Sequence, residues 1–92
     1  MTTNPERVQT DYRTSTEGAP GTYRQTWNEP NPMALSTHAY YVIRKLQEVD
    51  ASTGWKYRGF YALMLVTGGC TPGELTRAIT ELTNAGLLEE GK

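Results

Sequence analysis

The sequence predicts a mainly α fold, three helices behind a flexible N-terminal arm, on three observations. Apolar side chains gather late in the chain: residues 1–33 hold seven and residues 34–92 hold twenty-seven. Two stretches of the later part repeat apolar residues at three- and four-residue spacing, the period of a helix with one buried face. Ahead of the second stretch, Thr71-Pro72-Gly73-Glu74 places a capping hydroxyl, a proline and a returning glutamate where a helix begins. The expected boundaries are an arm over 1–33 and a folded domain over 34–92.

The arm is rich in threonine, glycine, proline and amide residues, and Gly18-Ala19-Pro20-Gly21 and Pro30-Asn31-Pro32 act against helix. Val8, Thr10 and Tyr12 alternate, as do Tyr23, Gln25 and Trp27, so a weak β-hairpin about the glycine-rich turn stands as an alternative to a flexible arm. If the arm is ordered, Tyr12, Tyr23 and Trp27 are the side chains that dock it.

The first helix opens with Ser36 as N-cap and Leu35 packed on Tyr40, and its buried stripe is Ala39, Val42, Ile43, Leu46 and Val49. Asp50-Ala51-Ser52-Thr53-Gly54 ends it. Trp55-Lys56-Tyr57-Arg58 alternates aromatic and basic residues and reads as a short extended stretch. Helix resumes near Gly59. Every residue from Phe60 to Val66 is apolar, so this second helix is expected to be buried on most sides, at the centre of the core, until Gly68-Gly69 stops it. The third helix starts at Pro72 with Leu75, Ala78, Ile79 and Leu82 inward, Gly86 as a left-handed terminator, and Leu87 and Leu88 folded back on the core.

At 92 residues, 37% apolar and 21% charged, the chain is one small domain without room for a large catalytic core, and a dimer partner or ligand is expected to add stability. Its net charge of -1 argues against attachment to nucleic acid or membrane through bulk electrostatics, so any such contact must be local. The single cysteine, Cys70, forms no internal disulfide, and no basic start followed by an apolar run marks a secretion signal; the expected compartment is cytoplasmic. The longest apolar run, the seven residues from Phe60 to Val66, falls short of the roughly 20 that cross a bilayer, so no membrane partner is expected.

Residues Gly69 to Leu88, in which Cys70-Thr71-Pro72-Gly73-Glu74 leads into Leu75-Thr76-Arg77-Ala78-Ile79 and closes on Ala85-Gly86-Leu87-Leu88, resemble the turn and recognition helix of winged helix-turn-helix proteins. Taken with the first helix and the short apolar helix, residues 35–90 are similar to DNA-binding domains of phage and plasmid replication initiators and of MarR-type and GntR-type regulators. The resemblance implies a small DNA-binding regulatory protein, phage or plasmid related, acting in transcription or replication. It would lay its third helix in the major groove of double-stranded DNA, as a homodimer or with another protein partner. In the family a two-stranded basic wing follows the recognition helix. Here Glu89-Glu90-Gly91-Lys92 closes the sequence, so the expected fold is winged-helix-like without a C-terminal wing. The arm is then expected either to stay disordered or to stand in for the wing, docking Tyr23 or Trp27 or reaching a DNA groove with Arg7, Arg13 and Arg24.

On this reading Gly73, Thr76, Arg77 and Thr80 lie nearest the bases, with Arg77 donating to guanine or pairing with phosphate; the alternative for Arg77 is a solvated pair with Glu74 or Glu81. Lys56 and Arg58, interleaved with Trp55 and Tyr57, suit contact with a nucleic-acid backbone or single strand, or else the rings pack inward and the cations reach water. Because Glu74 and Glu81 offset Arg77, a second reading stays open: a protein–protein interaction module on the same scaffold that does not bind DNA. His38 lacks a second histidine, so no metal site is expected. Cys70, read as lacking a neighbouring histidine base, is expected to pack. Without paired carboxylates, a phosphate loop or a serine–histidine–acid set, neither catalysis nor a cofactor is expected.

Overall fold

The structure, a computed structural model, describes residues 19–92. The expectations for Arg7, Val8, Thr10, Tyr12 and Arg13 lie outside those residues. Six elements follow in chain order: β1 (Thr22–Gln25), α1 (Thr37–Thr53), β2 (Arg58–Gly59), α2 (Phe60–Thr67), α3 (Pro72–Asn84) and β3 (Leu88–Glu90). The fold is thus mainly helical, with a small antiparallel sheet in the order β2-β1-β3.

Each helix begins and ends for a local chemical reason. At the start of α1, the Ser36 hydroxyl accepts the Ala39 N–H at 3.1 Å. The α3 start is a full capping box: the Thr71 N–H donates to Glu74 Oε1 at 3.0 Å, and the Glu74 N–H donates to Thr71 Oγ1 at 3.2 Å. Such a cap contributes about 1 kcal/mol. α3 closes in a Schellman turn, in which Gly86, at φ 78°, donates to the Thr83 carbonyl and Leu87 donates to that of Leu82 at 2.9 Å. That turn drops Leu87 and Leu88 onto a core of Ala39, Val42, Ile43, Leu46, Leu63, Leu75, Ala78, Ile79 and Leu82.

Three features depart from the sequence expectations. Thr22–Gln25 is not part of a loose arm. It is the middle strand, antiparallel to both neighbours, with Tyr23 opposite Arg58 on one side and Glu90 on the other. The extended half of the expected hairpin does form, therefore, but on β2 and β3. Second, α2 is not buried on most sides: Leu63 and Thr67 are buried, whereas Tyr61 is 71% and Leu65 is 65% exposed. An eight-residue helix lying on one face of α1 covers one stripe only, however apolar the remainder. Third, the last buried position of α1 is Asp50 rather than Val49.

Asp50 anchors the sheet to the helices. Its carboxylate, 3% exposed at the residue level, accepts from Gln25 Nε2 at 2.8 Å and forms an ion pair with the Arg58 guanidinium. Arg58 also donates to Thr53 Oγ1 at 3.2 Å. A buried carboxylate is tolerated when its oxygens are matched by donors in this way. One residue from each of β1, α1 and β2 is thereby joined behind the sheet.

Just past β1, Trp27 takes φ 64°, a left-handed backbone that costs a bulky residue about 1–3 kcal/mol. Hydrogen bonds hold the chain there. The Trp27 N–H donates to Gln25 Oε1 at 2.6 Å, Asn28 Nδ2 to the Gly86 carbonyl at 3.0 Å, and Gln47 Nε2 to the Asn28 carbonyl at 3.1 Å.

Candidate nucleic-acid interface

The exposed face of α3 carries Gly73, Thr76, Arg77 and Thr80, so the structure brings four of the six sequence candidates onto one surface. Both threonine hydroxyls bond back to the helix, Thr76 to the Pro72 carbonyl at 2.9 Å and Thr80 to the Thr76 carbonyl at 3.1 Å. That leaves their methyl groups as the outward chemistry. Gly73 has no left-handed φ, and a Cβ there would meet nothing within 4 Å. Its lack of a side chain is not required by packing and lets another molecule approach the first turn.

The two acids that flank Arg77 in sequence are engaged elsewhere. Glu74 closes the capping box. Glu81 reaches the start of α1, where Oε2 accepts the Ser36 N–H at 2.7 Å and Oε1 accepts its hydroxyl at 3.0 Å. Negative charge at a helix N-terminus is favourable, so this contact also locks α3 against α1. Arg77 forms no ion pair within 4.0 Å among the described residues. Together with His38, Glu74 and Glu81 it lines a cleft of about 280 Å³ between the two helix starts.

Beside that cleft the structure corrects the reading of Cys70. His38 is its neighbour after all: Nε2 lies 3.1 Å from Sγ, although the two residues are far apart in sequence. The thiol still packs against the core, and it is partly exposed. The contact ties the first turn of α1 to the residue preceding the Thr71 cap.

Lys56 and Arg58 separate. Lys56 is exposed, but Arg58 is 6% exposed and committed to Asp50, so it is removed from the nucleic-acid candidates. Nor do the neighbouring rings pack inward. The Arg24 guanidinium lies 4.0 Å from the Trp55 ring centroid and 4.5 Å from that of Tyr57, and pairs across the sheet with Glu89 at 2.5 Å. Arg24, expected to reach toward DNA, is instead held on the outer face of the sheet by two rings and a carboxylate.

Comparison with protein-family models, with curated proteins and with solved structures finds no match. The case for a site therefore rests on its own geometry. No group of three or more metal-ligating side chains occurs among the described residues, and no helix there is long and apolar enough to cross a membrane.

Two carboxylates set an expected pH response. The backbone hydrogen bond from Thr71 holds Glu74 below its ordinary value of 4.5, and the Arg24 hydrogen bond does the same for Glu89. A carboxyl lowered on folding contributes stability that is complete above its unfolded value and is lost as pH falls through the folded one. Thermal midpoints are thus expected to hold from neutral pH to about 5 and fall below about 4.5. Glu89→Gln should flatten that fall; an unchanged acid limb would remove the Arg24 pair from the explanation.

Proposed function

We propose that the protein binds double-stranded DNA, with α2, the turn at residues 68–71 and α3 acting as a helix-turn-helix and α3 lying in the major groove. One observation carries the reading. Arg77 projects from the exposed face of α3 and forms no ion pair among the described residues, while the carboxylates of Glu74 and Glu81, still charged, are turned to the helix starts as caps of α3 and α1. A guanidinium so placed is able to donate two bonds to one guanine. Thr76 and Thr80 present methyl groups beside it, suited to a thymine methyl, and open space at Gly73 admits the DNA backbone. Lys56, exposed on the approach to β2, adds a phosphate contact.

The sheet bears on the scaffold rather than on the DNA contacts. Its middle strand comes from the N-terminal side, so β1 takes the place in the sheet that a strand after β3 would take, while its Arg24 is held by Glu89, Trp55 and Tyr57 and adds no wing-like DNA contact. One module with so few cations gives little phosphate energy, so a homodimer on two half-sites belongs to the proposal.

A second reading, a protein-interaction module, draws on Tyr61 and Leu65, one turn apart and exposed on α2. Salt separates the two. Fluorescence anisotropy against a random-sequence duplex pool is expected to show binding that weakens steeply as salt rises from about 50 to 200 mM. Selection from the pool followed by Arg77→Ala should weaken the chosen site by about 5- to 150-fold, the equivalent of one bidentate base contact. Absence of duplex binding would leave the protein-interaction reading in its place, and full binding by Arg77→Ala would remove Arg77 and the α3 face as the DNA contact.

A further inference from the structure

Trp27 combines three properties that packing does not explain. Its backbone is left-handed, at φ 64°, where glycine or asparagine would sit with less strain. The strain is not offset by full burial, because 48% of the residue remains exposed. Yet hydrogen bonds to Gln25 and, through Asn28, to Gly86 and Gln47 fix the loop in this conformation. The indole is presented rather than stored.

It opens on a groove of about 520 Å³, lined also by Tyr41, Arg44, Lys45, Gln47 and Glu48, within the range of roughly 300–1,000 Å³ usual for ligand sites. Tyr41 is 43% exposed, and its hydroxyl is anchored by donating to the Thr67 carbonyl at 2.6 Å. Lys45 pairs with Glu48 at 3.3 Å, but Arg44 has no carboxylate partner among the described residues. A half-exposed indole on a fixed backbone and an anchored tyrosine ring therefore line the groove with a cation whose contact there is a long hydrogen bond, 3.5 Å, to Gln47 Oε1.

We infer that this groove binds a single-stranded nucleic-acid segment, with one base stacked on Trp27 and its phosphate held by Arg44. Stacking needs a free π-face and the cation needs a phosphate beside it, and a single strand supplies both at each nucleotide. Bases inside an intact duplex are stacked on one another and offer no free face. The site is separate from the α3 surface and extends beyond the reading given for it.

The test is anisotropy of a fluorescein-labelled oligothymidine about twelve nucleotides long, titrated with the full chain, alongside thymidine monophosphate as competitor and a blunt duplex as a parallel probe. The wild type is expected to bind the oligonucleotide with quenching of tryptophan emission, and the mononucleotide to compete at least about tenfold more weakly. Trp27→Gly, which relaxes the backbone while removing the ring, is expected to weaken single-strand binding by about 5- to 150-fold without lowering the thermal midpoint or duplex binding. Arg44→Ala should weaken single-strand binding too and reduce its salt dependence. Single-strand binding that is absent in the wild type, or unchanged in both variants, overturns the inference; equal affinity for the mononucleotide overturns the strand as its ligand. Failure of duplex binding alone counts against the α3 reading and not this one.

Discussion

Asp50→Ala is expected to lower the stability of the fold by about 3–5 kcal/mol, as removal of one partner from a buried ion pair does elsewhere. The cost comes from what is left behind. Arg58, 6% exposed, would keep its charge beneath the sheet with only Thr53 Oγ1 and the Gly54 carbonyl to receive its protons, and Gln25 would lose the acceptor for its amide. A buried cation without a counter-charge retains its desolvation cost while losing the attraction that offset it. The cavity from a lost carboxylate is a smaller matter. Urea unfolding of the variant should show a reduced midpoint at unchanged slope, since the same surface is exposed on unfolding. Asp50→Ala together with Arg58→Leu should recover part of the loss, because no charge then remains buried. A single variant within about 1 kcal/mol of wild type would mean that Arg58 reaches water without Asp50, and that the network does not join sheet to helices.

What the sequence made legible was chemistry acting over a few residues. Ser36, the Thr71–Glu74 box and Gly86 set helix ends through bonds to backbone three or four positions away, and all three ends lie where the sequence placed them. β1 was harder to read because its inward residues are only Tyr23 and Gln25, and a glutamine does not extend an apolar alternation. Its inward direction is explained by Asp50, a partner remote in sequence. A signal did exist: Asp50 falls four residues after Leu46 on the stripe of Ala39, Ile43 and Leu46, and a carboxylate on a buried stripe requires donors. Arg58 lay within reach of that argument. The exposure of Tyr61 and Leu65 had no such signal, since an all-apolar run does not say which side of a helix will be covered. At the candidate site, the residues on the α3 face follow from helical period, whereas the freedom of Arg77 depends on Glu81 bonding to Ser36 on another helix. The His38–Cys70 contact likewise exists only once α1 lies against the turn before α3.

Removing residues 1–25 is expected to abolish cooperative folding of the remainder, or to lower its stability by about 3–5 kcal/mol. β2 and β3 each pair with β1 and not with each other, so its loss leaves both without a partner, and they are only two and three residues long. Asp50 loses the Gln25 amide, a loss of about 1–3 kcal/mol for a buried group left under-satisfied. The core loses the partly buried ring of Tyr23, and apolar burial of that kind contributes about 1.5–3 kcal/mol when complete. Set against the roughly 5–15 kcal/mol by which domains are stable, with small ones at the lower end, such a loss is decisive. Loss of near-ultraviolet dichroism with partial retention of helix would report it. A peptide of residues 19–25 added in trans should restore the melting transition in a concentration-dependent manner, by re-forming the middle strand between β2 and β3. The same peptide with Gln25→Ala should do so less well, because it re-forms the ladder without the bond to Asp50. If the truncated chain instead melts at the wild-type midpoint without peptide, residues 22–25 are a dispensable tail, and the sheet contributes nothing to holding α1 against the start of α2.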